Sequence, residues 1–311
     1  MTLSRRGFLG VAGGAGVALG LTGCGLDASP GQTGELLRSE APLPEAFAVP
    51  LPIPPVQKPV RTVNGVDHYR VVQKKASLEI LPGLRTEVYG YDGLFPGPTF
   101  DVRSGRTTVI EQVNELDVPT VVHLHGGHTP SASDGWPTDL LLPARPGHDH
   151  HGSHQMAGDV RQGRRTYTYP NTQRAATLWY HDHRMDFTAP QVYRGLVGLH
   201  LVRDAEEDAL PLPSGDREIP LVIADRAFAA DGSFRYPALD PTLQADPGLE
   251  SAYMEGVVAD MILVNGAPWP VLEVDAVRYR FRILNASNAR RYDLALDPGP
   301  GAGPGAGKAK L

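Results

Sequence analysis

Thr120-Val-Val-His-Leu-His-Gly-Gly-His128 decides how this chain is read, and Leu178-Trp-Tyr-His-Asp-His183 repeats its pattern. Each stretch holds a His-x-His pair. Successive side chains of a β-strand point to opposite faces, so residues i and i+2 share a face, roughly 6–7 Å apart. Val121 and Val122 precede the first pair, and Leu178, Trp179 and Tyr180 precede the second. All are strand-forming types, so both pairs are expected at strand ends. Two such strands side by side aim His123, His125, His181 and His183 into one small volume. Neutral imidazole suits copper, zinc, iron and nickel. Four imidazoles exceed what one catalytic metal takes, because such a site keeps a position open for water or substrate. More than one ion is implied. A single pair is explained by chance or hydrogen bonding; a second pair in the same setting reverses that balance.

The chain has 311 residues, 41% hydrophobic, with a formal charge of −6. That is room for roughly two domains. The mild acidity gives no reason to expect nucleic acid as a partner. The 35 glycines and 29 prolines fit a turn-rich all-β protein with low-complexity ends. No apolar run reaches the roughly 20 residues a membrane span needs. The single cysteine, Cys24, rules out an intrachain disulfide and leaves the folded body without a thiolate ligand.

Residues 1–24 read as a targeting segment. Ser4-Arg5-Arg6-Gly7-Phe8-Leu9 before a mild apolar stretch has the layout of a twin-arginine export signal. Leu21-Thr22-Gly23-Cys24 resembles a bacterial lipobox, whose acylated cysteine would tether the protein to the outer membrane face. A non-lipidated signal with an incidental cysteine fits the same residues. The expected location is the bacterial cell envelope. Residues 25–60, crowded with prolines, read as an extended spacer.

From about residue 61, short β-like runs alternate with turn signals. Strands are expected at Asp67–Lys75, Arg85–Tyr91, Thr107–Asn114, Val121–His125, Arg165–Tyr169, Thr177–His181 and Leu196–Val202. A long loop, 128–164, interrupts them. Its Gly147-His-Asp-His-His-Gly-Ser-His154 segment is either an accessory metal site or a solvated loop. After a charged, Pro-rich linker at 206–215, strands resume at Ile219–Ala224, Met261–Val264 and Val277–Leu284, with a hairpin signal at Asn265-Gly266. The tail from 298 to 311 has almost no apolar side chains and cannot pack as a strand. Its texture is that of truncated or out-of-frame sequence.

His-Leu-His-Gly-Gly, then Ser-Ala-Ser-Asp-Gly-Trp-Pro, then Leu-Trp-Tyr-His-Asp-His-Arg-Met resemble the first two copper motifs of the multicopper oxidases. The spore-coat laccase, phenoxazinone synthase and bilirubin oxidase branch is the nearest in pattern. The resemblance implies an all-β fold of cupredoxin-like (plastocyanin-like) Greek-key barrels: one complete domain at 61–205 and an incomplete second at 216–297. It implies copper as cofactor, O2 as oxidant, and a phenolic or metal-ion reductant. His123 would ligate the type 2 copper, His125 and His181 would share one type 3 copper, and His183 would bind the other. Asp134 matches an acidic residue near the cluster's solvent path, a proton donor for O2 reduction; it reads equally as a turn residue before Gly135. Gly126 and Gly127 are expected to let the backbone approach the metal site. Trp179 and Tyr180 are expected in the barrel core, and Asp182 on the face away from the imidazoles.

The family's third His-rich motif and its final His-Cys-His motif have no counterpart here. No cysteine follows Cys24 and no histidine follows His200. A type 1 copper site needs a thiolate, so this chain cannot build one. Four of the family's eight cluster ligands are present. Two functions follow: a multicopper oxidase that needs a C-terminal domain outside this chain, or a non-catalytic, exported copper-binding or partner-binding cupredoxin module. The unpaired strand edges of an incomplete second domain would favour association with a partner. A zinc hydrolase using the same histidines is disfavoured, because no Glu or Asp sits in a motif of that chemistry.

Overall fold

The computed structural model describes residues 34–145 and 158–296. The targeting segment, the His148–His154 cluster and the tail lie outside those residues. No helix among the described residues is long and apolar enough to cross a membrane.

Two sheets face each other in the first half. In one, Val66–Leu78 pairs in parallel with Thr108–Asn114 and antiparallel with Thr86–Tyr91; Arg61–Val63 and Arg164–Tyr169 complete it. The other has the order Phe100–Arg103, Val197–Arg203, Ala176–Asp182, Val122–His125. Apolar alternation explains the closure. Phe100, Val102, Val122, Leu124, Leu178 and Tyr180 turn inward onto Tyr69, Tyr91, Ile110 and Tyr167. Burying each such side chain is worth about 1.5–3 kcal/mol. The expected strands appear within a few residues of their expected bounds. Phe100–Arg103 was not expected: its short alternating run follows Phe95-Pro-Gly-Pro98, whose turn chemistry masks it.

The second half is built on Glu218–Phe228. This strand pairs antiparallel with Met261–Val264 and in parallel with Arg280–Asn285. The Asn265-Gly266 hairpin forms as expected, leading back into Ala267–Pro268. An ion-pair network joins the two halves. Arg282, its side chain 4% exposed, contacts Glu207 and Glu218, and Arg203 contacts Glu218 at 2.7 Å and Asp101 at 2.8 Å. Arg282 also donates to Thr177 Oγ1 at 2.7 Å, at the foot of a His-bearing strand.

Residues 34–60 are not the free spacer the prolines suggest. Leu36–Leu37 pairs in parallel with Val258–Ala259, and Ser39 Oγ donates to Asp260 Oδ1 at 2.6 Å. Further along, Leu51 donates to the Val271 carbonyl and Gln57 to the Thr99 carbonyl, each at 2.8 Å. The segment runs from the second sheet to the first as a strap. Leu37, Ala41 and Leu51 are buried between prolines that lack the N–H to join a ladder fully.

Candidate metal centre

Strand Val122–His125 lies antiparallel beside Ala176–Asp182, with His123 opposite His181 and His125 opposite Trp179. Directly paired residues share a face. The alternation that sends Val122, Leu124, Leu178 and Tyr180 into the core therefore sends the histidines to the outer face of their sheet. His183 follows the strand end, held by its backbone N–H to the Val121 carbonyl at 2.9 Å.

The four imidazoles converge as expected. The ring centre of His123 lies 5.5 Å from His125, 5.5 Å from His181 and 5.2 Å from His183. His181 lies 5.7 Å from His125 and 5.6 Å from His183. Ligand atoms of His123, His125 and His181 all lie within 4.8 Å of one another, with His183 at the flank of that trio.

Backbone carbonyls set the tautomers. His181 Nδ1 donates to the Asp182 carbonyl at 2.6 Å, and His123 Nδ1 donates to the Asp134 carbonyl. Each bond leaves Nε2 as the bare nitrogen. His181 Nε2 and His183 Nδ1 are buried without a hydrogen-bond partner. Buried lone pairs of this kind are costly unless a partner fills the space. Burial, reinforced by the neighbouring imidazoles, depresses the His181 pKa to about 3 and lowers that of His125. Both rings are therefore neutral at pH 7, the form that binds metal. A neutral, converging, nitrogen-only donor set fits copper.

Asp182 behaves as alternation requires. Its carboxylate points away from the imidazoles and accepts the Val121 N–H at 2.9 Å and the Arg184 N–H at 3.0 Å. It ties the ends of the two His strands together, and burial raises its pKa to about 7.

Asp134 caps the 3-10 turn Ser131–Ser133 and sits beside His123. Its Oδ1 lies 3.8 Å from His123 Nδ1 and accepts from Thr129 Oγ1 at 3.0 Å, with the side chain 39% exposed. The turn and near-site readings are therefore compatible. Gly135, at φ +75°, brings this loop onto the strand: a Cβ there would lie 2.1 Å from the Val122 carbonyl oxygen.

Two expectations change. A Cβ on Gly126 or Gly127 would meet Leu178 or Leu124, so these glycines allow close packing on core side chains rather than on the metal face. Tyr180 is core, its hydroxyl donating to the Pro98 carbonyl at 2.6 Å, but Trp179 is not. Its indole lies on the outer face, stacked on His181 at 4.0 Å and on His125 at 5.1 Å. The signal was present: Trp179 precedes His181 by two, so the same alternation puts both on one face.

A family model described as multicopper oxidase matches residues 72–159 and 158–207. The laccase of Bacillus subtilis (strain 168) is 38% identical over 282 residues, 82% of this chain and 52% of the relative. The bilirubin oxidase of Albifimbria verrucaria is 38% identical over 274 residues, 84% of this chain and 42% of the relative. The crystal structure of a laccase from Pediococcus acidilactici matches at TM-score 0.65 and 29% identity, covering 82% of this chain and 52% of that one. The fold is thus the all-β, cupredoxin-like architecture of those oxidases. The chain spans about half the length of the curated relatives it matches. Sequence and fold together make this chain, over its N-terminal part, a laccase-like member of the multicopper oxidase family.

Proposed function

We propose that this chain supplies half of the ligand set of a trinuclear copper cluster in a laccase-type oxidase. The single observation that carries the proposal is the convergence of four imidazoles on one sheet face, with buried, unpartnered nitrogens on His181 and His183. His123 is assigned to the type 2 position, His125 and His181 to one type 3 copper, and His183 to the other. Copper bound there supplies one-electron redox chemistry with O2 as the final acceptor. The chain's own residues fix that centre: the Asp134 and Asp182 carbonyls hold the Nδ1 protons of His123 and His181, and the depressed pKa of His181 keeps its ring neutral. The Asp134 carboxyl, its side chain 39% exposed and its Oδ1 3.8 Å from His123 Nδ1, lies where protons would pass from solvent to the site. The reductant is a phenol or a metal ion, taken up at a type 1 site outside this chain. The domain limits are 61–205 and 216–297, and the chain is exported through Arg5-Arg6 and tethered at Cys24.

A second reading is favoured by the donor inventory. With no thiolate in the described body, the chain alone is an exported module that binds copper or a partner without turning over substrate. Copper stoichiometry of the purified chain tests the shared part of both readings. His123→Ala and His181→Ala are each expected to abolish copper binding at this face. Unchanged stoichiometry in both, with loss only on removing the histidines of 148–154, would sink the assignment. Oxidase activity on adding the C-terminal half of a relative separates the first reading from the second.

A further inference from the structure

The four rings are not held alike. His123 and His181 are each fixed by a hydrogen bond from Nδ1 to a backbone carbonyl. Among the described residues, no hydrogen bond holds the ring of His125, which is exposed. The terminal torsion of histidine is broad and roughly two-fold, so an unheld ring turns freely between orientations. What His125 does have is Trp179, directly across the strand pair. The two rings stack at 5.1 Å and 28°. The same indole stacks on His181 at 4.0 Å and 23°. Trp179 also packs against an apolar cluster in which Val197 and Leu199 of its own sheet, Leu199 directly across from it, meet Val222, Ala224 and Ala286 of the second half. One side chain therefore stacks on two imidazoles and rests on the cluster that joins the two halves.

We propose that Trp179 is the positioning residue of the metal centre. Its indole fixes the ring planes of His125 and His181 so that their ligand nitrogens converge, and the cluster shared with the second half fixes the indole. The second half of the chain thereby controls the copper ligands without contributing a ligand itself. Groups that orient metal-bound imidazoles from behind typically alter metal affinity by about 10- to 100-fold when removed. The proposal rests on the copper reading above.

The test is calorimetric titration of the full chain with Cu(II), paired with NMR of the histidine rings in the metal-free protein. Trp179→Leu, which keeps apolar bulk but has no ring, is expected to weaken copper binding at least about tenfold, and Trp179→Phe to bind within about threefold of the parent. In metal-free Trp179→Leu, the His125 ring signals are expected to collapse toward the averaged values of a free side chain, with those of His123 unmoved. Equal copper affinity in parent and Leu variant overturns the proposal. Equal loss in the Leu and Phe variants overturns it too, because an aromatic ring at position 179 would then give no rescue. If Trp179→Leu does not fold, Val222→Ala loosens the apolar cluster against which the indole packs. It is expected to weaken copper binding by several-fold, and an unchanged affinity overturns the proposal. If the parent binds no copper, the copper reading fails on its own. The metal-free ring signals still decide the positioning role, and unmoved His125 signals in the Leu variant overturn it.

Discussion

His200 and His181 show how a residue's surroundings rather than its type set its chemistry. His200 is 1% exposed in the barrel interior, between the rings of Phe100 and Tyr169. Burial depresses its pKa to about 4. A depressed folded-state pKa contributes stability that is present above the unfolded value, about 6.5, and is lost as pH falls toward 4. The metal-free chain is therefore expected to lose stability on acidification through that window. His200→Leu should show a shallower loss, measured as the shift in urea midpoint between pH 7.5 and pH 5. Parallel shifts in the two proteins would show that His200 is not responsible. Asp134 offers a second test at this scale, because it acts on the site through two different groups. Its carbonyl accepts from His123 Nδ1, and its carboxyl lies beside that ring, where the proposal above gives it proton transfer. Asp134→Asn keeps the first and removes the second. Copper binding is expected to be unchanged, while turnover of a reconstituted full-length oxidase falls by about 10²-fold. A matching fall in copper content would reject the split. At this scale the two-residue period alone placed all four histidines and turned Asp182 to the opposite, buried side. It did not show the Asp134 carbonyl, because a backbone acceptor leaves no mark on residue identity.

Between elements, the contact that matters most is charged. Arg282, Glu207 and Glu218 have side chains only 4%, 10% and 7% exposed; they join two strands of the second sheet to the helix Ala205–Asp208, and Arg282 reaches Thr177 of the first sheet. Removing one partner of a buried ion pair leaves the other charge uncompensated. Arg282→Ala is therefore expected to cost about 3–5 kcal/mol in urea unfolding. Arg174→Ala, which breaks an ion pair with Glu206 whose partners are 80% and 67% exposed, should change stability by less than about 1 kcal/mol. Similar costs for the two substitutions would refute the role given to burial. The strands themselves were legible from alternation, because each has one face on a core. The helix Thr188–Arg194 was not: seven residues containing Pro190 are too few to show a 3.6-residue period. The strap at 34–60 was misread for a related reason. Proline erases the alternation, yet its carbonyl still accepts, as Pro55 does from the Thr99 N–H at 2.9 Å.

For the molecule as a whole, the donor inventory sets the spectroscopy. Only nitrogen ligands converge on the candidate site, and the sole cysteine lies ahead of the described body. Copper-loaded chain is expected to show no intense blue thiolate-to-copper absorption. Observing that band after Cu(II) loading would contradict this ligand set. Fold class and the convergence of the four histidines were readable at this scale because both rest on local spacing. The packing of Trp179 against a cluster shared by both halves was not, since it joins residues far apart in sequence. The strap carries the longest such separation. Ser39 finds Asp260 across 221 positions, and Leu36–Leu37 has no strand to lie beside until Val258–Ala259 exists. Closing so long a loop is a late event for a growing chain. Residues 36–39 are thus among the last to settle, and the strap closes only when nearly all of the described chain has been made.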